Sequence, residues 1–409
     1  MLQIDVITTA RADFALTAPT AKALNRQMGL SGRLVFSGSH FAPAETARLD
    51  VVRQSLEVPS ALVPCNGLGA GEGASGAALG EMTTGFARLW EKDRPAMIVL
   101  LGDRYELLPP AQVAALYGIP IAHMFGAEVD VSYCLDTQVR DAISKMAHVH
   151  FISHKAIRQR LIAMGEEDWR ILVSGNPAVD QPARGSEPFI TFARERCWDT
   201  ERLIAACYLP PTTQREQMFT ELNALLEALG QWPEHTVIWA GVNSDPGSNE
   251  IRALLQHHCA TNPRHHFVDG LGNELFHGLL QSAEVLVGNS SSGLLEAASY
   301  GLPVVNVGVR QTGRLSGENV LNVPGIAAEI ESAMMRAITD VAFRAEANTQ
   351  GNPFHLGDAA ERVASGIRHM LRMDRAKLML KRSVQGNPRR IGGLQRVPEH
   401  MVECKGKRT

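Results

Sequence analysis

Residues 285–314 read VLVGNSSSGLLEAASYGLPVVNVGVRQTGR, and the order of residue types in this stretch decides the fold class. An apolar run at 285–287 stops at Gly288-Asn289, passes through Ser290, Ser291, Ser292 and Gly293, and gives way to a helical pattern over about 294–300. A second apolar run at 303–307 follows at once. Strand, polar glycine-bounded turn, helix and strand make a βαβ unit with short connections. Three serines entering a helix gather hydroxyls and unpaired backbone N–H groups where the helix dipole favours negative charge, which is the physics of a phosphate cradle. Serines also cap many helices with no ligand at all, so the turn alone leaves both readings open. Glu296, one turn in, would repel a phosphate and reads instead as an acceptor for ribose hydroxyls. Arg310 and Arg314 can supply compensating charge for a diphosphate.

The rest of the chain fits a soluble two-domain enzyme. At 409 residues it exceeds what one hydrophobic core usually serves. Its 45% apolar and 20% charged residues exclude wholesale disorder, and a net charge of -3 gives no general pull toward nucleic acid or anionic membrane. Six scattered cysteines without metal-ligand spacing point to a reduced, cytoplasmic home. The N-terminus lacks a signal-peptide pattern, and no run approaches a membrane span. His257, His258, His265 and His266 fall as adjacent pairs without a carboxylate or cysteine partner and read as surface histidines, so no metal site is expected.

Strand signals at 2–8, 33–37, 97–101, 119–124, 148–152 and 170–173 alternate with helical stretches, as in a doubly wound domain whose ligand edge lies at the carboxyl ends of its strands. Arg11 falls in the first βα turn. Asp103 follows the fully apolar run at 97–101 directly, a position suited either to chemistry or to capping the next helix. Glu128, Asp130 and Asp136 gather after the next strand, ahead of an amphipathic helix carrying Arg140 and Lys145. Neighbouring carboxylates raise one another's pKa values, and a raised pKa suits acid or base work near neutral pH; the same cluster can also be a solvated acidic loop. The glycine-rich stretch 66–81 reads as a flexible loop leading into a helix, because no strand feeds it and no lysine follows. A first domain over 1–180, a proline-broken linker over 181–200, a second domain over 201–357, a helix over 358–376 crossing the junction and a basic, disordered tail over 377–409 complete the expected organisation.

Residues 288–314, GNSSSGLLEAASYGLPVVNVGVRQTGR, resemble the signature of the hydrolysing UDP-N-acetylglucosamine 2-epimerases of sialic and legionaminic acid pathways. The resemblance runs to about Arg372 and includes Arg11 in a TRADY-like turn, Gly102-Asp103-Arg104 with Glu106, Glu128 and Asp136 before Arg140 and Lys145, and Asn243 and Asp245 in an NxDPG-like loop. It implies α/β architecture with two Rossmann-like domains facing across a cleft, the glycosyltransferase B-type arrangement. It implies a UDP-sugar substrate, no metal or redox cofactor, and often a homodimer. By the same resemblance, Arg11, Arg140, Asn243, Asp245, Ser290, Ser291, Ser292, Glu296, Arg310 and Arg314 bind substrate, while Asp103, Glu128 and Asp136 transfer protons. The chain departs from the pattern at Phe125, Ala127 and Asp141, and most sharply at Leu209, where the family carries a histidine. Leucine can neither donate a proton nor hydrogen-bond a phosphate. A transferase on the same scaffold, or a sugar-nucleotide binder without turnover, therefore stands beside the epimerase as an alternative.

Overall fold

The structure is a computed structural model that describes residues 1–68, 72–128, 135–180, 185–211, 215–242 and 247–382. Two parallel sheets organise it. The first contains β1 (Leu2–Thr8), β2 (Leu30–Phe36), β3 (Ser60–Leu62), β4 (Met97–Leu101), β5 (Ile121–Met124), β6 (Val149–Ile152) and β7 (Ile171–Val173), in the order β3-β2-β1-β4-β5-β6-β7. The second contains β8 (Leu203–Cys207), β9 (Thr236–Ala240), β10 (His265–Val268), β11 (Val285–Gly288), β12 (Val304–Val307) and β13 (Val320–Val323), in the order β10-β9-β8-β11-β12-β13. Both orders reverse direction once, between β1 and β4 and between β8 and β11. In an open parallel sheet that reversal opens a crevice beyond the carboxyl ends of the two strands, where ligands bind.

Continuous apolar runs make the central strands. β4 and β8 are buried along their whole length because helices cover both faces of each sheet, and a strand buried on two faces needs no polar alternation. Leu34, Val99, Val149 and their neighbours fill one face of the first sheet, and Ile98, Leu100, Phe86 and Trp90 fill the other. Trp239 and Val287 share the core on one face of the second sheet with Leu222, while Ile238 and Leu286 share the other with Leu279. At Gly288, φ is 133° and an added Cβ would lie 2.0 Å from the Cys207 carbonyl oxygen, so only glycine lets β11 leave the sheet this close to β8.

The chain crosses between the halves twice. Asn176 N–H donates to the Phe354 carbonyl at 3.1 Å, and Ala359 N–H donates to the Asp180 carboxylate, which ties the two crossings together. The helix Ala359–Leu371 then packs Val363, Ala364 and Ile367 into the first sheet's core.

Three stretches differ from the sequence expectation. The segment read as a linker over 181–200 contains the helix Glu187–Arg194, with proline in its first turn and Phe189 buried against the second sheet's core. The glycine-rich stretch is helical from Glu72, because Ala78 and Met82 on one face of that helix pack into the first sheet's core. The expected disordered tail is packed as far as Arg382: Leu378 is buried, and the Arg170 guanidinium donates to the carbonyls of Lys377, Leu378 and Leu380 at 2.7–3.2 Å. Arg170 is itself buried, so these carbonyls satisfy donors that would otherwise be stranded.

Candidate functional site

The exits of β1, β4, β5, β8, β11 and β12 carry the candidate residues. Beyond β1, Arg11 opens the helix Arg11–Arg26 and is exposed. Beyond β4, Gly102 has φ of 84°, which turns the chain so that Asp103 faces the helix Leu135–Met146. There the buried Arg140 guanidinium donates to Asp103, and its other arm donates to the Glu128 carbonyl at 2.8 Å. Arg140, read from the sequence as a substrate contact, is thus a clamp between the two carboxylate-bearing turns. Asp136 lies on the exposed first turn of that helix. Asp130, Asn243 and Asp245 lie outside the described residues.

Glu128 is half-buried. Burial pushes its carboxyl up from the usual glutamate range, and the Ser153 hydroxyl, which donates at 2.7 Å, and the Arg140 and Arg314 charges only partly offset this. The residues before it are strained. Phe125 and Ala127 have φ of 60° and 58°, a region that side chains other than glycine enter at a cost of order 1–3 kcal/mol. Both are buried against apolar neighbours, and that burial is what holds them there.

His123, which the sequence reading passed over, ties these parts together. Its Nε2 lies 2.7 Å from the Gly102 carbonyl and its Nδ1 lies 3.1 Å from the Ser144 hydroxyl. Burial brings it down to about 3, so the ring is neutral and Nε2–H donates to the carbonyl. One ring therefore connects the turn of Asp103 to the helix of Arg140. An isolated histidine on a buried strand gives no sequence signal of this role.

In the second half, the Asn289 side chain receives the Leu209 N–H at 2.7 Å and donates to the Leu209 carbonyl at 2.8 Å, while the Asn289 backbone carbonyl accepts from Arg310 at 3.1 Å and Gln311 at 2.8 Å. The serine turn stands directly above. Ser290 caps the next helix, its hydroxyl accepting from the Ser292 N–H at 3.3 Å. That helix, Ser291–Leu295, is shorter than the expected 294–300; the chain tightens to a 3₁₀ turn at Ala297–Tyr300. Burial raises the Glu296 carboxyl, against hydrogen bonding from Ser292 and the nearby His277. Leu209 is half-buried and packs against both faces of the second core.

A cavity of about 270 Å³ brings the two halves together. Glu128, Ile157 and Arg160 line it from the first, and Ser291, Leu294, Leu295 and Arg314 from the second. The histidine pairs are not all at the surface. His265 is buried on β10, 3.0 Å from His258 Nε2, and His266 stacks on Trp198 with ring centres 4.3 Å apart. The strand, missed in the sequence, accounts for this. Among the described residues no group of three or more His, Cys, Asp or Glu could hold a metal ion, and no helix is long and apolar enough to cross a membrane.

Two Rossmann-like halves with a cationic and carboxylate-lined cavity between them define an α/β protein of glycosyltransferase B-type architecture. The chain belongs to the UDP-N-acetylglucosamine 2-epimerase family, whose model matches residues 22–368. Among its relatives, the UDP-N,N'-diacetylbacillosamine 2-epimerase (hydrolyzing) of Legionella pneumophila is 30% identical over 323 residues, covering 78% of this chain and 85% of that protein. The GDP/UDP-N,N'-diacetylbacillosamine 2-epimerase (hydrolyzing) of Campylobacter jejuni is 28% identical, covering 78% of this chain and 84% of that protein. Among solved structures, a Staphylococcus aureus MnaA–UDP co-structure superposes with a TM-score of 0.74 at 18% identity, covering 94% of this chain and all of that one. The last comparison establishes the fold.

Proposed function

We propose that the protein is a hydrolysing UDP-sugar 2-epimerase acting on UDP-N-acetylglucosamine or its diacetamido analogue. The observation that carries this reading is the cavity in which Glu128 of one half meets Ser291 and Arg314 of the other. In the reaction, a base removes the C2 proton as the C1–O bond to UDP breaks, leaving a C1–C2 double bond. Water then adds oxygen to C1, and an acid returns a proton to C2 on the opposite face. The balance is UDP-sugar plus water to free 2-epimeric sugar plus UDP.

Asp103, held by Arg140, is the base in this scheme. Glu128, whose raised pKa keeps a proton available nearer neutral pH, is the acid, and Asp136 is a third proton-transfer group. Arg11, Arg310, Arg314 and the serine turn take the charge of the leaving diphosphate, with Asn243 and Asp245 beside it, and Glu296 accepts the ribose hydroxyls. The two relatives named as hydrolysing diacetylbacillosamine epimerases support water as the acceptor and a diacetamido sugar as substrate.

Leu209 favours the alternative of a scaffold moved to transfer or to binding alone, because a leucine packed into the core supplies no proton. UDP release from a panel of UDP-sugars, measured for native protein, Asp103→Asn and Leu209→His, tests both readings. Release by native protein that is lost in Asp103→Asn is expected. Silence from native protein with release by Leu209→His contradicts the proposal.

A further inference from the structure

Glu296 has a neighbour that its proposed role as ribose acceptor does not include. His277, on the helix Gly272–Ser282, points Nε2 at Glu296 Oε1 across 3.9 Å and sets Nδ1 2.7 Å from the Tyr300 hydroxyl. The Glu296 and His277 side chains are each about one fifth exposed, so solvent reaches part of both while the rest stays packed.

The arrangement selects one tautomer. With the proton on Nδ1, the Nε2 lone pair would face a carboxylate, and two electron-rich groups would oppose each other. With the proton on Nε2, an N–H dipole faces the carboxylate and the Tyr300 O–H donates to Nδ1. Burial and the charge of Glu296 both raise the Tyr300 phenol, which keeps its proton for that donation. A separation of 3.9 Å is beyond a direct hydrogen bond, so the N–H acts as an oriented dipole on Oε1. Its effect, together with the Ser292 hydroxyl that also donates to this carboxylate, is to hold the group in place and favour the ionised form, so that its remaining lone pairs accept from a ligand.

We propose that His277, steered by Tyr300, is the positioning residue that holds Glu296 ready for the ribose hydroxyls of a uridine nucleotide. The inference rests on the reading of Glu296 as the ribose acceptor. It predicts that His277 contributes to nucleotide affinity only through those hydroxyls.

The test is calorimetric titration of the full chain with UDP and with 2′,3′-dideoxy-UDP, which lacks them. Native protein prefers UDP by about tenfold or more, the range of a charge-assisted hydrogen bond. His277→Leu reduces the preference to about threefold or less while its affinity for the dideoxy ligand stays within about twofold of native. His277→Gln, which keeps an N–H donor near the same place, recovers most of the preference. Tyr300→Phe removes a single oxygen, falls between the two, and decides the matter if His277→Leu does not fold. A native preference that survives both His277→Leu and Tyr300→Phe overturns the inference and leaves the ribose reading standing. Equal loss of affinity for both ligands also overturns it, because that is the mark of a merely structural residue. Native protein that binds both ligands equally, or neither, removes the ribose reading and the inference with it.

Discussion

Asn289 and Leu209 exchange a reciprocal pair of hydrogen bonds across the switch point of the second sheet, 2.7 Å from the Leu209 N–H and 2.8 Å to its carbonyl. Leu209 follows β8 and Asn289 follows β11, so one buried amide side chain sets the spacing of the two strand exits between which a ligand would lie. The Asn289 carbonyl meanwhile receives Arg310 and Gln311. The serine turn, Leu209 and the arginine segment thus share one anchor.

Asn289→Ala strands the Leu209 amide and carbonyl in a partly buried setting. A loss of about 2–4 kcal/mol is expected, read as a thermal midpoint lower by roughly 5–10 °C. UDP binding weakens at least about tenfold, measured by titration, because the turn loses its reference point.

Glu128→Gln separates stability from activity. A carboxyl raised in the folded state binds more protons there than when unfolded, so its contribution to stability falls as pH rises from the unfolded value toward the folded one. Glutamine carries no charge and keeps an acceptor for Ser153. Thermal melts should show the variant at least as stable as native protein at pH 7, with the gap closing toward pH 4. UDP release should drop by about 10²–10⁴-fold.

Gly126→Ala tests the link through His123. An added Cβ would lie 2.7 Å from the Ser144 hydroxyl and 2.8 Å from His123 Nδ1, so either the ring or the loop carrying Glu128 must shift. Overpacking of this kind costs about 1–3 kcal/mol. The expected kinetic result is a kcat lower by about tenfold or more, with UDP affinity changed less than about twofold, since most of the groups proposed for the nucleotide follow strands of the second sheet.

Glu166 sets the acid limit of the first half. Its buried carboxylate is pushed up by desolvation, but hydrogen bonds from His150, Lys145 and Lys381 outweigh this and bring it down to about 2. A depressed carboxylate stabilises the fold fully above its usual value of 4.5 and loses that contribution as pH falls toward 2. Glu166→Gln should lower the thermal midpoint at pH 7 and flatten its fall between pH 4.5 and 2. Parallel curves for variant and native protein contradict the assignment.

The alternation of buried strands and helices was legible because continuous apolar runs such as 97–101 have few other uses. The glycine-bounded turns after them marked Asp103 and Ser290 for the same reason: a polar turn at the mouth of a buried strand stands out locally. What could not be read depends on distant partners. His123 meets Gly102 and Ser144, each 21 positions away, and Glu166 is met by Lys381 from the C-terminal segment. The packing of 377–382 was obscured because a basic composition looks solvated until Arg170 and Glu166 are placed beside it. β10 was passed over because two histidines open it, and pairing with β9, not propensity, makes the strand.

Elimination of UDP followed by hydration is read most directly by proton NMR of the reaction in D₂O with UDP-N-acetylglucosamine and its diacetamido analogue. UDP and free sugar are expected in equal amounts from at least one of them, the sugar inverted at C2 and carrying one deuterium there. A product that keeps its UDP, or a free sugar that keeps its C2 proton and configuration, contradicts that expectation.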